Sequence, residues 1–236
     1  MPVYNYFGNS DLSFEVTQET TEITNATFFP NGVLWEEHSM NYFYNKVPRD
    51  RLVNIIDVGA QSGLYTLYAK FLSNSTFYSF EPFKKTYDLL NDNIKLNKLP
   101  NVHTFNLGLS DEKGTTILNT CISHNGLHTC GNNPLRFNDI VPVTIEVDTI
   151  DNLFFDKGIP VDFIKIDTEG WELHVLRGGI KTINKYKPYI QLEWNETNMN
   201  QCNISATELD NFIVNEMGYV RESIIGEELF IKWRES

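Results

Sequence analysis

The 236-residue chain predicts a doubly wound α/β domain built on a mostly parallel sheet. Three observations carry that prediction. From Val53 onward, apolar strand-like runs alternate with helical patterns, as in chained βαβ units. The stretch NIIDVGAQSGLYTLYAKF, Asn54 to Phe71, joins a buried strand to a helix through a bend holding Gly59 and Gly63. At the far end, YVRESIIGEELFIKW folds back on itself near Gly226, adding an antiparallel pair to the sheet. Residues 1–50 are expected to form an N-terminal cap packed on one main domain over 51–236, with residues 112–145 as an excursion on the substrate side.

Each element follows from its local pattern. VLWEEHSMNYFYNKV has aromatic periodicity suited to a covering or edge helix. LVNIIDV is strand one, with a helix from about Gly63 to Leu72. TFYSFE is strand two, and after Pro82, which suits a helix start, Tyr87, Leu90, Ile94 and Asn97 stand at helical spacing. VHTFNL is strand three. The next forty residues carry turn residues and alternating segments but no long helix, and predict a hairpin with a surface excursion. VDFIKID is strand four, GWELHVLRGGIKTI its single helix, and KPYIQLEW strand five. SATELDNFIVNEMG opens with Ser205 and Glu208 in capping-box spacing and closes at Gly218.

Composition narrows the function. A formal net charge of -12, with no run of Lys or Arg, argues against a nucleic-acid partner. Three cysteines do not make a disulfide framework, and the N-terminus lacks a basic start followed by an apolar run, so a cytoplasmic, non-membrane protein is expected. Cys121, His124, His128 and Cys130 are zinc-capable types, but their spacing lacks the separation between ligand pairs of a structural zinc site.

The bend after strand one suits a nucleotide-like ligand, because a strand ending in Asp57 and followed by Gly59 and Gly63 admits close backbone approach. It is not a dinucleotide fingerprint, since Gln61 stands where the second glycine is needed, and it lacks the Gly-Lys-Ser/Thr ending of a P-loop. Glu81, closing strand two, lies beside the end of strand one and suits both hydroxyls of a ribose. A nucleoside without a phosphate chain satisfies these conditions, and S-adenosylmethionine is one.

IDVGAQSGLYT, FEP, LNDNIKLN, LGLSDEKGTTIL and DFIKIDTEGWELHVLRGG, in that order over about residues 50 to 195, resemble the FkbM family of S-adenosylmethionine-dependent methyltransferases. The resemblance implies a Rossmann-like class I methyltransferase fold: a seven-stranded mixed sheet of order 3-2-1-4-5-7-6, strand seven antiparallel, with helices on both faces. It also implies cofactor contacts. Asp57, Gly59, Ala60 and Gly63 would surround the methionine part, Glu81 the ribose, and Ser110 with Asp111 the adenine; Gln61, a further cofactor-side residue, departs from the Asn often found there but retains an amide. The chemistry implied is O-methylation of a small-molecule or glycan hydroxyl, a deoxyhexose such as rhamnose being one candidate. Two rival functions are an RNA ribose methyltransferase and a non-catalytic cofactor-binding module; a homodimer is left open.

Ligands of open α/β sheets sit outside the carboxyl ends of the strands, so Asp167 and Glu169 should face the transferred methyl. One carboxylate would take the hydroxyl proton, or two would hold a divalent metal with Glu193 as a third oxygen ligand. Metal dependence is left open. Strand alternation is taken to disfavour an ion pair of Asp167 with Lys165, while Glu172 is assigned to packing and surface. His128, on the excursion, is the candidate general base, its ordinary pKa lying near neutrality.

Overall fold

A computed structural model describes residues 3–6, 9–15, 36–121, 128–131 and 140–234. His124 and the flanks of the excursion, 122–127 and 132–139, lie outside the described residues. β1 (Val3–Tyr6) and β2 (Asn9–Glu15) form an antiparallel ribbon, followed by α1 (Glu37–Lys46). The main sheet begins with β3 (Val53–Val58), β4 (Ser75–Phe80) and β5 (Val102–Phe105), with α2 (Lys84–Asn97) between the last two. The expected helix after β3 is a single 3-10 stretch, Thr66–Lys70. Turns occupy the residues before it, where Gln61 and Gly63 take positive φ of 50° and 105° and so cannot sit in a regular helix.

The predicted hairpin is present, as part of a second sheet. β6 (Gly108–Leu109) runs parallel to β8 (Ile140–Asp148), and β7 (Gly114–Cys121) pairs with β8 antiparallel. The chain returns to the main sheet with β9 (Phe163–Ile166). The helix expected next is broken into α3 (Glu172–Arg177) and α4 (Ile180–Tyr186). Gly178 and Gly179 stand at the break, and close packing explains them: a Cβ on Gly178 would lie 2.0 Å from the Ser110 carbonyl oxygen. β10 (Tyr189–Glu193) leads into α5 (Glu196–Gln201), which the sequence pattern did not reveal. α6 (Ala206–Asn211) starts at Ser205, whose hydroxyl accepts from the Glu208 N–H at 3.1 Å. β11 (Tyr219–Ile225) and β12 (Glu228–Trp233) close the described chain.

The seven-stranded sheet has the order β11-β12-β10-β9-β3-β4-β5. Numbered along the whole chain this differs from the expected string, because the ribbon and the small sheet interpose strands. Counted within this sheet alone, and from the opposite edge, it reads 3-2-1-4-5-7-6, with β12 antiparallel to both neighbours.

Strand alternation divides the interior between two faces. Ile56, Val58, Ile164, Ile166, Ile190 and Leu192 pack with Leu173, Leu176, Ile183 and Leu209 from α3, α4 and α6. Val53, Ile55, Phe77, Phe163 and Phe230 pack on the other face with Met40 and Phe43 of α1 and with Leu67 and Tyr68. The second face also carries a row of polar residues in register across five strands: Thr104, Ser79, Asp57, Lys165 and Gln191. Side chains from the covering elements meet it. Thr66 Oγ1 donates to Asp57 at 2.6 Å and lies 2.7 Å from Ser79 Oγ, Gln191 Nε2 donates to Tyr65 Oη at 2.6 Å, and Thr104 donates to Asn91 at 2.8 Å.

Candidate active site

The corner after β3 is held by its own backbone. Gly59 and Ala60 N–H both donate to the Phe80 carbonyl at 3.0 Å, Gln61 N–H donates to Glu81 Oε2 at 3.0 Å, and Ser62 N–H reaches Gln61 Oε1 at 3.3 Å. Four consecutive amides are therefore committed within the protein, which agrees with the absence of a phosphate-cradling motif. Gly59 has φ +73, and a Cβ there would fall 1.8 Å from the carbonyl oxygen of Asp167, so the corner and the end of β9 touch backbone to backbone. Gly63 serves packing, since a Cβ there would come within 2.8 Å of Leu90 Cδ1 on α2.

Glu81 joins two corners. Its Oε1 accepts from Phe83 N–H at 2.9 Å and its Oε2 from Gln61 N–H, leaving further acceptor directions on each oxygen. Burial raises its pKa to about 7, against the opposing effect of those two amides. Asp57 lies just before the corner, at the end of β3. It is 1% exposed, accepts from Thr66, and lies in the buried polar row, so it supports the corner from beneath.

The row also corrects the expected independence of Lys165 and Asp167. Residues two apart on a strand share a face, and Lys165 Nζ donates to Asp167 Oδ2 at 3.1 Å. Lys165 is buried, which alone would lower its pKa, yet the charges of Asp167, Asp57, Glu228 and Glu36 outweigh burial and raise it. The Tyr65 ring lies 4.9 Å from the ammonium.

Carboxylates crowd the ends of β9, β10 and β12. Asp167, Glu169 and Glu193 each place an oxygen within 4.8 Å of the others, and Glu36, Asp167 and Glu228 form a second such triplet. Glu193 and Glu228 are register partners on antiparallel strands, an arrangement that brings like charges together. Burial raises the pKa of Glu193, and the charges of Asp167 and Glu169 raise it further. Asn198 Nδ2 donates to Glu169 Oε2 at 2.7 Å and to Glu193 Oε1 at 2.9 Å, binding two of these acids together. Sequence inspection missed Asn198. Its signal was Asn195 followed by Glu196, a helix N-cap that the structure realises through Asn195 Oδ1 accepting from the N–H groups of Thr197 and Asn198.

Glu172 is not at the surface: it is 1% exposed, and its Oε1 accepts from Thr168 N–H, Thr168 Oγ1 and Gly170 N–H. It thereby shapes the loop that presents Glu169, whose backbone sits at φ 54. Ser110 and Asp111 are turned toward α3. Ser110 Oγ accepts from Trp171 Nε1 at 3.2 Å, and Asp111 lies 3.0 Å from His174 Nδ1, whose ring stacks on Trp171.

His128 does not fit a base. Its Nδ1 accepts from Cys121 N–H at 3.2 Å, which puts the proton of the neutral ring on Nε2, and burial with the nearby Lys85 charge lowers its pKa to about 4. Its ring packs edge-on against Phe83, so the expected base is a structural residue. Cys130 and Cys202 are free thiols. Among the described residues, no metal cluster includes His128, Cys121 or Cys130, and no helix is long and apolar enough to cross a membrane.

Comparison with known proteins then gives the following. The family model for the methyltransferase FkbM domain matches residues 57–221. Methyltransferase sdnD of Sordaria araneosa is 29% identical over 156 residues, which make up 52% of this chain; the chain spans 59% of that relative's length. A solved FkbM methyltransferase from Methylobacillus flagellatus KT superposes with a TM-score of 0.51 at 17% identity, covering 78% of this chain and 44% of that one. Precorrin-6y C5,15-methyltransferase from Geobacter metallireducens GS-15 gives 0.51 at 12% identity, covering 94% of both chains. At these identities the superpositions speak to fold alone.

Proposed function

Because the chain belongs to the FkbM methyltransferase family and has the class I methyltransferase fold, we propose that it is an S-adenosylmethionine-dependent O-methyltransferase acting on a hydroxyl of a small molecule, a sugar or glycan first. The observation that supports this reading is the close approach of Gly59 to the Asp167 carbonyl, by which the glycine corner, where the cofactor would lie, adjoins the strand end that carries the carboxylates. Glu81 would hold the ribose hydroxyls, and the glycine corner would lie along the methionine part. When bound, S-adenosylmethionine supplies a methyl group that passes to the acceptor oxygen while sulfur keeps the S–C electron pair, leaving S-adenosylhomocysteine and one proton.

This chain's residues do the rest. Asp167, oriented by Lys165, accepts the hydroxyl proton, and Glu169 helps align the acceptor oxygen. Acid-lined strand ends and a net charge of -12 favour a neutral, polyhydroxylated acceptor over a phosphate-bearing one. A deoxyhexose such as rhamnose meets that description.

Calorimetric titration with S-adenosylhomocysteine, followed by incubation with labelled S-adenosylmethionine and a panel of sugars, tests the proposal. A mass gain of one methylene on a sugar supports it. Absence of cofactor binding defeats it, and cofactor binding without transfer to any hydroxyl favours a non-catalytic binding module.

A further inference from the structure

Two acid triplets share Asp167, to which Lys165 Nζ donates. In the Glu36–Asp167–Glu228 triplet all three acids act on the buried Lys165 ammonium, although Glu228 Oε1 has no hydrogen-bond partner. The Asp167–Glu169–Glu193 triplet stands at the ends of β9 and β10. Here Glu193 is 7% exposed, yet its Oε2 has no hydrogen-bond partner. A buried carboxyl oxygen with no hydrogen-bond partner is costly whether ionised or protonated, and the cost is relieved when a cation displaces the proton and meets it.

We propose that Asp167, Glu169 and Glu193 form a binding site for a hard divalent cation. The donor set is all oxygen, as magnesium, manganese and calcium require. Dimensions agree as well. Ligands opposite one another on a cation are separated by twice the metal–oxygen distance, about 4.2 Å for magnesium and about 4.8 Å for calcium. The three carboxylate oxygens lie within 4.8 Å of one another, and the side chains would close further to bring all three onto one ion.

The ligands are also held from behind, as metal-binding carboxylates are. Lys165 fixes one oxygen of Asp167, and Asn198 donates to both Glu169 and Glu193 through a single amide nitrogen. Thr129 Oγ1 donates to the Glu169 carbonyl at 2.8 Å, anchoring its backbone. The cation's role rests on the methyl-transfer reading above; its binding does not. A cation held there would make a coordinated acceptor hydroxyl more acidic and would offer two open positions to a vicinal diol; Asp167 would then serve as its ligand in place of the proton acceptor described above, and the proton would leave to water.

Manganese(II) is the probe, titrated into the whole chain and followed by electron paramagnetic resonance, with a parallel calorimetric titration of S-adenosylhomocysteine. One saturable manganese site is expected, displaced by magnesium or calcium. Asn198→Ala should weaken it roughly tenfold to a hundredfold, and Glu193→Gln by at least as much. Retained S-adenosylhomocysteine binding shows that each variant is folded. If Glu193→Gln does not fold, Glu169→Gln, nearer the surface, gives the same comparison. No saturable manganese uptake by the unaltered protein, or uptake unchanged in the folded carboxylate variants, overturns the site. Cofactor binding without manganese binding overturns only the cation, whereas manganese binding without cofactor binding overturns only the methyl-transfer reading.

Discussion

The corner after β3 and the carboxylate ends of β9 and β10 touch one another, yet they are built on opposite principles. The corner is satisfied: its amides donate to Phe80 and Glu81, and the one acid facing it is held by two backbone N–H groups. The carboxylate ends are crowded: Asp167, Glu169, Glu193 and Glu228 press together, and buried oxygens of Glu193 and Glu228 lack partners. The difference teaches where each half of a transfer reaction draws its order. On the reading proposed above, the surface that receives one unchanging donor is fixed by the main chain, whereas the surface that would move a proton keeps unresolved charge.

Gly59→Ala should break the comparison altogether, because it drives a methyl group into the Asp167 carbonyl where the two regions meet. Combined steric and backbone strain is expected to cost about 3 kcal/mol or more, read as a lowered denaturation midpoint with cofactor binding and activity lost together. Asp167→Asn should separate the regions, lowering turnover about a hundredfold while S-adenosylhomocysteine affinity stays near its starting value. Equal losses in both would show that the carboxylate serves only to hold Lys165.

Glu81→Gln sharpens the cofactor side, weakening S-adenosylhomocysteine binding roughly tenfold to a hundredfold with turnover at saturation little changed. Its pH signature is equally specific. The folded protein holds the Glu81 proton up to about pH 7, whereas the unfolded chain releases it near 4.5. Between those values the folded state binds more protons, so this group makes stability fall as pH rises, by up to about 3 kcal/mol. Cofactor affinity should move the opposite way, rising as the carboxylate ionises. Glu81→Gln should abolish both trends, as measured by denaturation and titration from pH 4 to 8. Asn195→Ala is the mildest change: it removes the cap of α5 at about 1 kcal/mol and loosens Asn198, so activity should drop more than stability.

The parts legible in the sequence are those governed by local pattern. The strands of the main sheet, the terminal hairpin and the glycine corner all announce themselves through alternation and turn chemistry. Asp167, Glu169 and Glu193 stood out as candidates because strand ends are where open sheets bind ligands, and their carboxylates lie near one another in the structure. What escaped depends on partners distant in sequence. His128 has a favourable ordinary pKa, but burial and the Lys85 charge lower it, and the Cys121 N–H occupies Nδ1. Glu172 looks like a solvated helix residue until Thr168 and Gly170 turn their amides on it. The two-glycine break between α3 and α4 is set by Ser110 and Ile150, more than twenty residues earlier.

The polar row through Thr104, Ser79, Asp57, Lys165 and Gln191 bears on how this chain finds its alignment. Parallel strands rich in Val and Ile can slide by two residues and still bury the same kind of side chain. Here such a slip would strand an ammonium and a carboxylate among hydrocarbon with no counterpart opposite. The row therefore works as a keyway, letting the central strands mesh in one position only and refusing the near-misses that oily strands alone would tolerate.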